Sequence, residues 1–99
     1  MTKQEHLLSC LSEECCEVGH RVSKALRFGL DEIQPGQPLT NAERISQELN
    51  DLIAVAEMLE ESGAVPRNQT LADIDRKKAK VETFLRYAEE CGVLSADHH

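Results

Sequence analysis

The sequence predicts an all-α fold: an antiparallel helical bundle of three main helices, with room for a short fourth, completed by oligomerisation. Three observations carry this prediction. Apolar residues recur at spacings of three and four along three long stretches. Turns bearing proline or glycine separate those stretches, and Thr-led capping patterns open two of them. No segment reads as a strand, an internal repeat or a linker. The 99 residues make one domain, spanning the whole chain and close to the size at which a single core becomes marginal.

The first helix runs from about Lys3 to Arg27. Leu7, Leu8, Leu11, Cys15, Val18, Val22, Ala25 and Leu26 share one face of it, with Cys15 as core filler. Glu14, Glu17, Arg21 and Lys24 form a stripe beside that face. Phe28-Gly29 closes the helix, and Gly29 suits a left-handed cap. Leu30–Leu39, with Pro35-Gly36 and Pro38, is the longest loop. Thr40-Asn41-Ala42-Glu43 then reads as a capping box for a second helix ending at Gly63. Its apolar face carries Ile45, Leu49, Leu52, Ile53, Ala56 and Leu59. Glu48 and Asp51 flank that face in a stripe with Asn41, Arg44 and Val55. After a turn at Val65–Asn68, Thr70-Leu71-Ala72-Asp73 opens a third helix, for which Gly92 is the stop. Leu71, Ile74, Val81, Phe84, Leu85 and Ala88 are its inward set, and Lys78 falls on the same side. Ser95–His99 reads as a frayed tail.

Composition narrows the function. The formal net charge of −7 disfavours nucleic acid and anionic lipid as partners. No apolar run approaches the ~20 residues of a membrane span, and no signal-peptide pattern leads the chain. Cys10, Cys15, Cys16 and Cys91 therefore read as free thiols in a reducing cytoplasm. With no Trp, one Tyr and two Phe, the core is aliphatic and thin, and self-association would enlarge it.

Two acidic groups stand out: Glu13-Glu14-x-x-Glu17 and Glu48-x-x-Asp51. Carboxylates three apart on a helix share a face, with Cβ atoms about 5–6 Å apart. Two such pairs facing each other repel unless a hard cation sits between them. Helical rotation separates Glu13 from Glu14. Either group alone is most simply a solvated face; two, each beside the apolar stripe of a neighbouring helix, favour a site. His6/Cys10 and Cys16/His20 have the i, i+4 spacing of transition-metal ligands, but one tetrahedral ion cannot use both pairs. Core thiols and surface imidazoles explain them more simply.

These motifs resemble the signature of the all-α nucleoside triphosphate pyrophosphohydrolases, and within them the MazG-like enzymes. Lys24-Ala25-Leu26-Arg27-Phe28-Gly29, Asn41-Ala42-Glu43-Arg44 and the Lys-rich start of the third helix running into Val81-Glu82 and Phe84-Leu85 are also similar. The resemblance spans about Leu7 to Leu85. It implies Mg²⁺-supported hydrolysis (Mn²⁺ substituting) of the α–β phosphoanhydride of a nucleoside triphosphate to a monophosphate and pyrophosphate. It further implies Glu14, Glu17, Glu48 and Asp51 as metal ligands, Glu13 in support, and Glu14 or Glu17 as the base that takes a proton from water. Lys24, Arg27, Asn41 and Lys78 are the candidate substrate-binding residues, although helix capping is the stronger reading of Asn41. A homodimer or homotetramer is the assembly it suggests. Phosphoribosyl-ATP pyrophosphohydrolase is the rival enzyme, and a non-catalytic helical interaction or nucleotide-binding module the rival outside enzymes.

Overall fold

The structure is a computed structural model describing residues 1–95. The described residues form three α-helices, α1 (Lys3–Phe28), α2 (Asn41–Glu61) and α3 (Leu71–Glu90), and no strand. An isolated antiparallel bridge joins Ile33 to Thr40 within the loop. The expected all-α class and the three helices are thus present. The predicted tail lies, from residue 96 onward, outside the described residues. Packing divides the chain into two units, Met1–Pro66 and Arg67–His99.

The first unit is a hairpin of α1 and α2, which pack against each other. Thr2 and Thr40 are the N-caps, each in a reciprocal box with the glutamate three residues on. The Thr40 N–H donates to Glu43 Oε1 at 3.0 Å, and the Glu43 N–H donates to Thr40 Oγ1 at 3.1 Å. Two of the N–H groups that α2 leaves unpaired are met by the loop: those of Asn41 and Ala42 donate to the carbonyls of Glu32 and Leu30. Gln34-Pro35-Gly36-Gln37 closes the loop as a turn, with the Gln37 N–H on the Gln34 carbonyl at 2.9 Å. Gly36 supplies the positive φ of 82° that such a turn needs at its third position. α2 ends in a paired bond pattern, Gly63 N–H to Glu60 and Ala64 N–H to Leu59, with Gly63 at φ 80°.

Gly29 differs from its expected left-handed cap. Its φ is 99° but its ψ is 151°, so the chain leaves α1 extended and does not curl back. A side chain is rarely tolerated there, and glycine is the residue that permits the exit.

The packed face differs from the apolar face read along the sequence. Leu7 and Leu59 are buried, at 8% and 0% exposure, and they are the buried hydrophobic side chains of the described residues. The seam between α1 and α2 is otherwise half-buried: Leu11, Glu14, Glu17, Val18, Arg21, Lys24 and Ala25 from α1, with Arg44, Ile45, Glu48, Leu52, Val55 and Ala56 from α2. Cys15, expected inside, is exposed, as are Leu8, Val22, Leu26, Leu49 and Ile53. At about 100° per residue the contact face of α1 is rotated by roughly 80° from the centre of its apolar stripe. That rotation draws the charged stripe into the seam and leaves an apolar flank on one side of the hairpin.

The second unit is built on α3, capped by Thr70, whose Oγ1 accepts from the Asp73 N–H at 3.1 Å. Its expected inward set is exposed apart from half-buried Ala88, with Leu71 80% and Phe84 58% exposed. Lys78, placed on the inward side by the sequence, is exposed too. A single helix has no second surface within its own unit to bury that stripe against, so periodicity alone overstated its burial.

Candidate functional site

The hairpin is antiparallel, and its register follows from what the helices share. Lys3 and Leu7 line one surface hollow with Met58 and Ser62, while Lys24 and Phe28 line another with Asn41. Between these ends, Glu14 of α1 meets Glu48 and Asp51 of α2. One carboxylate oxygen from each of the three lies within 4.8 Å of the others. Glu14 and Glu48 are half-buried and Asp51 is exposed. The i, i+3 spacing of Glu48 and Asp51 explains why both reach one point across the seam.

This cluster is electrostatically costly. The Glu14 carboxyl is pushed above its ordinary range, first by partial burial, then by the negative charges of Asp51, Glu48, Glu13 and Glu17. Glu14 Oε2 is enclosed and accepts no hydrogen bond. An enclosed carboxylate oxygen without a donor is the state a cation would relieve.

The remaining candidate residues divide. Glu17 lies one turn from Glu14, half-buried on the same seam, but is not in the three-carboxylate cluster. Rotation by roughly 60° from Glu14 carries it to the seam's edge. Glu13 is exposed. Lys24 and Asn41 come together, with Phe28, Glu32, Gln34 and Pro35, around a cleft of about 390 Å³. Arg27 does not line it as Lys24 does; its guanidinium stacks over the Phe28 ring at 5.0 Å, with the Lys24 ammonium at 5.7 Å. Lys78 belongs to the other unit.

Asn41 departs from its expected capping role, which Thr40 takes. It is 2% exposed and opens α2 as its first helical residue. Its amide donates to the Gly29 carbonyl at 2.8 Å and to Glu32 Oε1 at 3.0 Å. One side chain thereby ties the exit of α1, the loop and the entry of α2 together. No cysteine or histidine joins a three-residue metal-type group among the described residues, and the described cysteines are free.

Two half-buried arginines on the seam, Arg21 and Arg44, belong to the stripes read along the sequence but were given no role there. The signal was available: Arg21 stands in the stripe of Glu14 and Glu17, and Arg44 one turn before Glu48. No helix of the described residues is long and apolar enough to cross a membrane. No protein-family model matches the chain, and no curated protein and no solved structure matches it.

Proposed function

We propose that this chain is a Mg²⁺-dependent nucleoside triphosphate pyrophosphohydrolase of the MazG-like type. The observation that carries the reading is the convergence of Glu14, Glu48 and Asp51, together with an enclosed oxygen of Glu14 that accepts no hydrogen bond. All three donors are hard oxygens, the kind Mg²⁺ and Mn²⁺ prefer, so the residues fit the ion. In this reading Glu14, Glu48 and Asp51 hold it, and Glu17, one turn along, completes the set. When bound, the ion neutralises phosphate charge and favours attack of water on phosphorus.

The chain's own residues supply the rest. Glu14 or Glu17, through whichever carboxylate oxygen the ion would leave free, accepts the proton of the attacking water. Water adds its oxygen to the α phosphorus, the α–β bridge breaks, and its electron pair leaves on pyrophosphate. Lys24, at the edge of the cleft, offsets phosphate charge. Asn41 fixes the loop that shapes the cleft, and Glu13 supports its neighbours from the solvent side. The rival reading, an interaction module, draws on the exposed apolar flank; that flank equally suits a second copy of an enzyme.

Incubation with a panel of dNTPs and NTPs plus Mg²⁺, with detection of released pyrophosphate, tests the proposal. Glu48→Ala and Asp51→Ala should each reduce turnover beyond the roughly 10–100-fold typical of losing an outer-shell partner of a metal. No turnover of any nucleotide, phosphoribosyl-ATP included, sinks the enzyme reading. Full activity in both variants sinks the ligand assignment.

A further inference from the structure

The polar seam of the hairpin is segregated by charge. Its middle holds Glu14, Glu48 and Asp51. Towards the end of α1 the seam residues become Arg21 and Lys24, and on α2 the residue one turn before Glu48 is Arg44. Glu14 sits across from Glu48 and Asp51, and Lys24 shares a cleft with Asn41. That register brings residue 21 level with residue 44. The two arginines lie roughly 10 Å along the helix axes from Glu14 and Asp51, seven residues at 1.5 Å each.

Neither arginine is neutralised by the chain. Arg21 Nε is enclosed and donates to nothing. Arg44 donates to Gln34 Oε1 at 3.3 Å, a neutral and long contact. Among the described residues no carboxylate stands in ion-pair contact with either guanidinium, although the chain carries 18 acidic residues and two turns of carboxylates adjoin them. A half-buried guanidinium normally finds a carboxylate or carbonyl, because its N–H groups lose water and need acceptors. Acids and bases that lie on one seam without pairing make a surface complementary to a ligand carrying both signs: cation at one end, polyanion at the other.

We infer that Arg21 and Arg44 form an anion subsite for the pyrophosphate end of the substrate, and so set the direction in which a triphosphate lies along the seam. The inference rests on the proposed pyrophosphohydrolase reading. The scissile α phosphorus sits at the carboxylates and the β and γ phosphates extend towards Arg21, Arg44 and Lys24. Charge gathers on the departing pyrophosphate as the α–β bond breaks, and the fork of a guanidinium meets two phosphate oxygens at once. The nucleoside then lies on the opposite side of the carboxylates.

Calorimetric titration of inorganic pyrophosphate with Mg²⁺ into wild type, Arg21→Met and Arg44→Met tests this, with dAMP, dCMP, dGMP and dTMP titrated in parallel. Pyrophosphate affinity should fall at least tenfold in each variant, monophosphate affinity should change less than twofold, and Arg21→Lys should restore part of the loss. Unchanged pyrophosphate affinity in both variants overturns the inference while turnover by wild type leaves the enzyme reading standing. An equal loss for monophosphates overturns the direction assigned. Absence of turnover by wild type overturns the enzyme reading, and the pyrophosphate titration still decides whether the two arginines hold an anion. Helicity of each variant by circular dichroism is measured alongside; where Arg21→Met unfolds, Arg44→Met decides between these outcomes.

Discussion

Glu14 concentrates the tension of the site in one residue. Its proton is held more tightly in the folded chain than in the unfolded one, since burial and four neighbouring carboxylates oppose its ionisation. Its contribution to stability is therefore fully present below the ordinary carboxylate pKa of 4.5 and is lost as pH rises through the raised value. Glu5 and Glu43 behave oppositely. Hydrogen bonds from the backbone and side chains of Thr2 and Thr40 lower their pKa values. Their contribution is present above the ordinary value and is lost as pH falls through the lowered one. The two effects therefore occupy separate windows. Without divalent ions, Glu14→Gln should raise Tm at pH 7 and leave it nearly unchanged at pH 4. Added Mg²⁺ should raise the wild-type Tm by mass action and raise that of Glu14→Gln much less. Thermal melts across this range, with and without Mg²⁺, decide it; a Glu14→Gln difference independent of pH would show that the cluster carries no such tension.

The elements were largely legible in the sequence, because their signals are local. Apolar spacing of three and four gave the helices, and Thr40 and Glu43 gave the start of α2 through a bond pattern that needs four residues only. Which face turns inward is a tertiary matter. Periodicity located the apolar stripe, but the seam follows the neighbouring stripe of Glu14, Arg21 and Glu48, so Cys15 and Val22 point outward. The same blindness hid Arg21 as a candidate and gave Glu17 a place equal to that of Glu14. The tie between the two helices was also out of reach, since Asn41 and Gly29 are 12 residues apart. That tie gives a prediction at this scale. Asn41→Ala removes a buried donor and leaves the Gly29 carbonyl without it, which should cost about 1–3 kcal/mol. Thr40→Ala, losing a cap at the surface, should cost about 1 kcal/mol. Chemical denaturation measures both, and a larger loss for Thr40→Ala than for Asn41→Ala would mean that the loop is held by its caps and not by Asn41.

At the scale of the whole molecule the chain is short of core. Fully burying a leucine contributes about 1.5–3 kcal/mol, and among the described residues Leu7 and Leu59 are the buried apolar side chains. Leu8, Val22, Leu26, Leu49 and Ile53 form an exposed apolar flank on the hairpin, and no residue of α3 is buried. An isolated helix of α3's length is marginal in water, and an apolar patch made by several large side chains is uncommon on a monomer. We propose that a second copy covers the flank, giving a homodimer or a homotetramer. Charge shapes how it does so. Two chains of −7 repel, so contact should run through the apolar side, away from the seam carboxylates. Screening over about 8 Å at physiological ionic strength should then strengthen association. Sedimentation should find wild type assembled at micromolar concentration and more so at 0.5 M than at 0.05 M NaCl. Val22→Glu and Ile53→Glu should each shift it towards monomer and lower Tm, because the new charge would be buried against its own copy. The same substitution at exposed Gln47, off the flank, should do neither. A wild type that sediments as a stable monomer at 100 μM would leave the flank for a different protein and remove the second copy from the picture.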